Sequence, residues 1–263
     1  MSTPLLELSG IRVVFGDFTA LDGIDLTVGE GELRFLIGPN GAGKTTLIDV
    51  VTGRTRPTSG TVTFAGRRLT RRGEHRVVRA GIGRTFQTAV VFEELTVADN
   101  VDLAASFRMN PIGLLRRRRG LSGPVAAVLD RVGLAALADH RAGTLSHGRR
   151  QWLEIAMLLA QDPRLLLLDE PVAGMNADER QRTGELLTEI AADRTVIVVE
   201  HDMDFLRRYA RDVTVLHEGR VLTEGTVAEV QADPRVQEVY LGRGGAGSGA
   251  AGPVAAAANE EGR

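Results

Sequence analysis

The chain of 263 residues has no cysteine, so neither a disulfide framework nor a thiolate metal site is open to it, which fits a reducing compartment. It carries no strong charge of either sign. A formal net charge of −2 lacks the basic excess that nucleic-acid binding wants, so no nucleic-acid partner is expected. Long apolar runs are missing as well. Nothing approaches the ~20 residues needed to span a bilayer, and no secretory leader is recognisable. A soluble chain is expected, with any membrane role coming through a partner. Hydrophobic content of 43% and charged content of 25% are ordinary for a globular protein. The length suffices for one large or two small domains with a full core.

What is present begins with Gly38-Pro39-Asn40-Gly41-Ala42-Gly43-Lys44-Thr45-Thr46, which fits the P-loop pattern G-x-x-x-x-G-K-[ST]. Before it, Leu33–Ile37 is an apolar run of the kind that makes a buried strand. After it, residues 46–53 read as a helix stopped by Gly53. Strand, glycine loop and helix in that order turn the pattern into a site for a nucleoside triphosphate. Glycines let the backbone fold into a nest of N–H groups aimed at phosphate oxygens, and the helix adds the positive end of its dipole. Lys44 reaches the β- and γ-phosphates, and the Thr45 hydroxyl sits on Mg²⁺.

A second group of residues suits the same chemistry. Leu165–Leu168 followed by Asp169-Glu170-Pro171 reads as a buried parallel strand that delivers two carboxylates at its C-terminal end. Asp169 suits the Mg²⁺ shell, and Glu170 the polarising of an attacking water. Thr195–Val199 is a further buried strand ending in Glu200-His201-Asp202, which puts His201 on the same sheet edge, within reach of the γ-phosphate. Leu145-Ser146-His147-Gly148-Arg149-Arg150-Gln151 precedes the helix Trp152–Ala160. Ser146 as cap and Gly148 near the start make another helix N-terminus able to hold an anion, with plain capping as the alternative. Phe15 and Phe18 could stack on a base or simply pack. Gln87, taken alone, is a loop glutamine at the end of the strand Gly81–Gln87.

The remaining pattern alternates strand and helix. Residues 5–15 form a strand broken at Gly10, and Leu21–Val28 and Thr61–Ala65 are strands. Arg67 to Arg79 reads as a solvated basic surface. Residues 96–107 form a helix capped by Thr96 with Asp99 at its third position. Arg116–Arg119 is a solvated run, contact with anionic lipid headgroups being the alternative. Residues 124–138 read as an amphipathic helix and Asn176–Ala192 as another. Asp212–Leu216 and Gly219–Glu224 make a closing hairpin, with two short helices to Leu241. The span from about 90 to 160 is a helical insertion in an otherwise alternating α/β chain. From Gly242 a Gly/Ala-rich tail is expected to be disordered.

In order along the chain, GPNGAGKTT, Gln87, LSHGRRQ, LLLLDEP and His201 resemble the ATP-binding subunit of ABC transporters, over residues 5 to about 241. The resemblance implies an α/β P-loop NTPase cassette spanning residues 1–241, ahead of the tail 242–263. Its core sheet would be mostly parallel, with an N-terminal antiparallel β part and an inserted helical subdomain. It implies ATP and Mg²⁺ as cofactors and hydrolysis coupled to transport. Phe15, followed by a glycine, would stack on adenine. Gln87 would touch the Mg²⁺ and water region and couple the site to the membrane partner. Ser146 and Gly148 would complete the site of the opposite subunit, so that two chains sandwich two nucleotides. Residues 173–176 take the D-loop position, and His201 that of the switch histidine. The usual LSGGQ signature is altered here by His147 and Arg149. The implied partners are membrane permease subunits, a second ATP-binding subunit (a distinct chain before a second copy), and indirectly an extracytoplasmic solute-binding protein, all at the cytoplasmic face of the cell membrane.

Within the family, the helical span, Ala173-Gly174-Met175-Asn176 and residues 233–242 resemble importers of the branched-chain amino acid type. Residues 52–57, Phe86-Gln87-Thr88, and Leu145–Gly148 running on to Gln151–Glu154 resemble the importer subunit for urea and short-chain amides. His147 and Trp152 favour urea over leucine, so urea import is the first expectation. Branched-chain amino acid import, or lipid or lipopolysaccharide export, is the alternative. Cassettes of DNA repair or translation share these motifs but usually carry a second cassette or a long coiled-coil insertion, which this chain lacks. A metabolic P-loop kinase has no use for a helix that completes a neighbour's site.

Overall fold

The computed structural model of the chain describes residues 4–85, 91–106 and 123–241. Two sheets organise it. In the first, β1 (Pro4–Phe15) pairs antiparallel with β2 (Phe18–Gly29) on one side and with β4 (Ser59–Phe64) on the other, and β4 carries the short β5 (Arg67–Arg68). The break expected at Gly10 is a bulge. Register slips between Leu8 and Ile11, Gly10 takes φ +58, and its N–H donates to Asp25 Oδ1 at 2.8 Å, so one strand runs through the position.

The second sheet holds β3 (Leu33–Ile37), β6 (Ile82–Arg84), β7 (Leu165–Asp169), β8 (Thr195–Val199), β9 (Asp212–His217) and β10 (Arg220–Thr226). Their order is β10-β9-β3-β8-β7-β6, all parallel except β10, which closes one edge antiparallel to β9. Alternate residues of the central strands enter different cores. Leu165 and Leu167 of β7, with Ile197 and Val199 of β8, face the first sheet and α1 (Lys44–Val51). Leu166, Leu168, Val196 and Val198 face the layer of helices. Both faces are covered, which is why these strands read as unbroken apolar runs. Truncating a side chain in such a core costs about 2–5 kcal/mol.

The helical layer comprises α3 (Val97–Ser106), α4 (Gly123–Arg131), α5 (His147–Ala160), α6 (Ala177–Ala191) and α7 (Met203–Tyr209), with α8 (Val227–Ala232) and α9 (Pro234–Leu241) closing the chain; α2 (Glu74–Ala80) lies earlier, before β6. The Thr96 hydroxyl accepts the Asp99 N–H at 3.0 Å and so caps α3 as expected. Three sequence expectations change. The helix expected over 124–138 stops at Arg131, because Gly133 turns the chain at φ +73 into a short 3₁₀ turn at Ala135–Leu137. The basic stretch Arg67–Arg79 holds β5 and the start of α2, whose Val77 is buried and whose end is set by Gly81 at φ +107. Between His201 and Asp212 lies α7, which no sequence signal had marked. Gln87, the run Arg116–Arg119 and the tail from Gly242 lie outside the described residues. Among the described residues no helix is long and apolar enough to cross a membrane.

Candidate active site

At the C-terminal end of β3 the chain turns through the glycine loop into α1. Gly38 takes φ +152, and a Cβ there would lie 2.2 Å from the Leu216 carbonyl oxygen of β9. Gly43, at φ +101, would set a Cβ 2.7 Å from Leu21 and 2.9 Å from the Ala20 carbonyl. The loop is therefore squeezed between two strands, and only glycine fits at both ends. The Lys44 ammonium folds back over the loop and donates to the carbonyls of Gly38 at 2.6 Å and Pro39 at 3.0 Å. Lys44 is the sole lysine among the 32 Lys and Arg side chains of the chain. Burial lowers its pKa, while Glu170 and Asp169 pull it back up.

Loop residues 40–46 line a concavity of about 450 Å³, closed by Asp169 and Glu170 on one side and by Phe18 and Ala20 on another. Phe18 lines the concavity, and Phe15, the residue expected to stack on adenine, stands directly beside it. The two are cross-strand partners either side of the β1–β2 turn, so they share one face of the hairpin, and exposures of 53% for Phe15 and 64% for Phe18 leave both rings available. Base–aromatic stacking contributes about 1–3 kcal/mol per base, so Phe18→Ala should weaken ATP binding by roughly 5- to 150-fold. Phe15→Ala, titrated with the same fluorescent nucleotide, reports the share of the second ring. Unchanged affinity in both variants would exclude stacking on this hairpin.

The acids come from neighbouring strand ends. Asp169 is buried; its Oδ2 takes Arg84 Nη2 at 3.2 Å, and its N–H donates to Thr85 Oγ1 at 3.3 Å. Glu170 sits at φ +50, a left-handed conformation that costs a non-glycine residue about 1–3 kcal/mol and is held by its surroundings. Its N–H donates to the Val199 carbonyl at 2.9 Å and its carbonyl accepts the Ala173 N–H at 3.1 Å. The Glu170 carboxylate lies 3.5 Å from His201 Nδ1. Beneath them is a residue to which the sequence had assigned no role. Glu200, 1% exposed, accepts the N–H groups of Val172, His201 and Asp202 at 3.3, 2.9 and 3.4 Å, tying the loop after β7 to the loop after β8. Burial pushes its carboxyl up, and those three bonds pull it back. Its signal was an acid placed directly after the buried run Val196–Val199. Asp202 caps α7 through the N–H groups of Asp204 and Phe205 and takes Arg180 of α6 at 2.8 Å. The Phe205 N–H first, then Arg180, holds its carboxyl below the usual range.

Ser146 caps α5, accepting the Arg149 N–H at 3.4 Å, and its hydroxyl donates to Glu179 Oε1 at 3.3 Å. A Cβ on Gly148 would lie 2.6 Å from that same carboxylate. His147 Nε2 is 3.1 Å from the Ala173 carbonyl. Neither Ser146 nor Gly148 lines the concavity. One chain thus gathers Lys44, Thr45, Asp169, Glu170 and His201, with Ser146 and Gly148 outside that concavity.

The donor set suits a magnesium nucleotide. The loop offers N–H groups and an ammonium for phosphate, with the Thr45 hydroxyl and the Asp169 carboxylate on the same concavity. Among the described residues there is no group of three or more His, Cys, Asp or Glu that could hold a metal by themselves. A Mg²⁺ that takes one or two protein oxygens plus phosphate oxygens and water needs none.

The model of the ABC transporter family matches residues 21–173, and that of the branched-chain amino acid ATP-binding cassette transporter matches residues 220–246. BraF of Pseudomonas aeruginosa, a high-affinity branched-chain amino acid transport ATP-binding protein, is 35% identical over 253 residues, covering 92% of this chain and 99% of BraF. The chain belongs to the ATP-binding subunits of ABC transporters. The LivG protein of Salmonella typhimurium, named for the same transport, is 36% identical with the same coverage. An ATP-binding cassette of an ABC transporter in its ADP conformation superposes with a TM-score of 0.81 at 31% identity, covering 92% of this chain and 100% of that one. A dimeric cassette in a post-hydrolysis state, bound to ADP and Pi, gives 0.70 at 25% identity over 85% of this chain and 99% of that one.

This ABC ATPase therefore has the P-loop cassette fold that its motifs implied, and it hydrolyses ATP with Mg²⁺. As an ABC subunit it dimerises and works with membrane permease subunits. The relatives named here transport branched-chain amino acids, and the urea expectation gains nothing from them. The two residues that favoured urea have local structural partners. The Trp152 indole N–H donates to Thr183 Oγ1 at 2.9 Å, and His147 meets the D-loop carbonyl of Ala173.

Proposed function

We propose that this ABC ATPase energises import of a branched-chain amino acid through membrane permease subunits docked on it at the cytoplasmic face of the membrane. The observation that carries the reading is the end-to-end likeness to BraF and LivG, reinforced by the match at residues 220–246. That segment covers β10, α8 and α9, which lie well away in sequence from the motifs every such cassette needs. Urea import rests on the likeness of residues 52–57, 86–88 and 145–154, His147 and Trp152 above all, and is the second reading.

In this account two ATP-binding subunits sandwich two nucleotides. The N–H groups of residues 40–46 and Lys44 take the β- and γ-phosphates, and the aromatic hairpin stacks on the base. Thr45 and Asp169 hold Mg²⁺, which when bound neutralises phosphate charge. Glu170 orients a water for in-line attack and takes up its proton, with His201 beside the carboxylate and the γ-phosphate. Gln87, assigned by motif order alone, couples the site to the permease. Ser146 and Gly148 present the N-terminus of α5 to the nucleotide held by the partner, which explains why they stand apart from Lys44 in one chain. A solute-binding protein outside the membrane delivers the cargo, and the second ATP-binding subunit is a related, distinct chain.

Uptake of labelled leucine and labelled urea, by host cells with and without this chain at low external solute, tests the reading. Loss of leucine uptake is the expected result. Loss of urea uptake alone would keep the importer and overturn its solute. No change in either would overturn import by both routes.

A further inference from the structure

We propose that Arg84 is a positioning residue that holds the Asp169 carboxylate for the metal and ties it to the P-loop helix. The proposal rests on the reading of Asp169 as the residue facing Mg²⁺. Arg84 is the last residue of β6, next to β7 in the sheet. Its guanidinium is 9% exposed and bridges two acids on different elements: Nη1 donates to Asp49 Oδ1, on α1, and Nη2 to Asp169 Oδ2 at 3.2 Å. Asp169 is 7% exposed and Asp49 26%, so one buried fork spans the gap between the helix that carries Lys44 and the strand that carries the acids. The next residue completes the hold. Thr85, 1% exposed, donates its N–H to the Leu167 carbonyl at 2.9 Å, and its hydroxyl accepts the Asp169 N–H at 3.3 Å.

The consequence is geometric as well as electrostatic. With Oδ2 engaged by Arg84, Asp169 has Oδ1 left for the metal, and the carboxylate plane is set by a planar donor that lysine cannot imitate. Arg84 also offsets part of the charge of the two carboxylates it bridges, Asp49 and Asp169. Groups that orient a metal ligand are commonly worth about 10- to 100-fold in metal affinity or activity.

Three variants of the full chain, Arg84→Lys, Asp49→Asn and Asp169→Asn, provide the test. Binding of a fluorescent ATP analogue is measured in EDTA and across a Mg²⁺ titration, alongside thermal unfolding. Arg84→Lys keeps the charge and loses the fork. It should raise the Mg²⁺ midpoint by about tenfold while binding in EDTA stays within about twofold. Asp49→Asn frees the other end of the fork and should move the midpoint the same way by less. A structural role alone would lower binding in EDTA and in Mg²⁺ together, and that result would overturn the proposal, as would an unmoved midpoint in both variants. Asp169→Asn separates the layers. If it leaves the Mg²⁺ midpoint unmoved, the assignment of Asp169 itself has failed, and the role of Arg84 with it.

Discussion

Glu170→Gln should bind ATP at least as tightly as the wild-type cassette and release phosphate about 100- to 10,000-fold more slowly, the range by which a positioned general base speeds a reaction. The substitution is nearly isosteric, so the left-handed turn at φ +50 and the backbone bonds to Val199 and Ala173 have no reason to change. What is lost is the carboxylate that faces water beside His201. Removing one negative charge from the concavity also relieves repulsion with the phosphates, so nucleotide affinity should hold or rise. Phosphate release and fluorescent-nucleotide binding, measured on the same preparation, check both halves. Turnover at the wild-type rate would remove Glu170 from the chemistry.

Lys44→Ala should weaken ATP binding and turnover together. Truncating one partner of a desolvated charge pair costs about 2–5 kcal/mol, so the Kd should rise roughly 30-fold or more. The wild-type chain offers a second check without mutation. Lys44 is its only lysine, so an amine-reactive label has one side-chain target besides the α-amino group. Burial lowers the Lys44 pKa, so the free amine forms at a lower pH than in an ordinary lysine, and labelling should begin correspondingly early. Saturating MgATP should protect Lys44 and leave the α-amino group reactive, which peptide mapping resolves. Equal labelling of Lys44 with and without MgATP would contradict contact with phosphate.

Much of this was legible before any coordinates. β3, β7 and β8 match their largely apolar runs because burial on both faces leaves few polar positions to blur the pattern. The glycine loop was legible because three independent signals agreed: the run before it, the Lys-Thr pair, and the helix after it. The capping residues Thr96 and Ser146 were visible for the same local reason. The misses share a different cause. α2 and α7 have seven residues each, too few for a helical period to stand out, and their ends are set by Gly81 and Asp202. That Phe18 borders the loop beside Phe15 depends on how the hairpin pairs, which the sequence does not display. Glu200 and Arg84 act between elements far apart in sequence. Glu200 collects N–H groups from two loops, and Arg84 two carboxylates from a helix and a strand. Such bridges exist only once the sheet is assembled. The two residues that favoured urea, His147 and Trp152, meet the Ala173 carbonyl and Thr183 of α6, contacts that a sequence motif does not display.

The measurement that bears most directly on the account is leucine uptake in cells lacking this chain and supplied with either the wild type or Glu170→Gln, at matched expression. The account predicts that the wild type restores uptake and that Glu170→Gln does not, because hydrolysis at this carboxylate powers the cycle. Uptake restored equally by Glu170→Gln would contradict it.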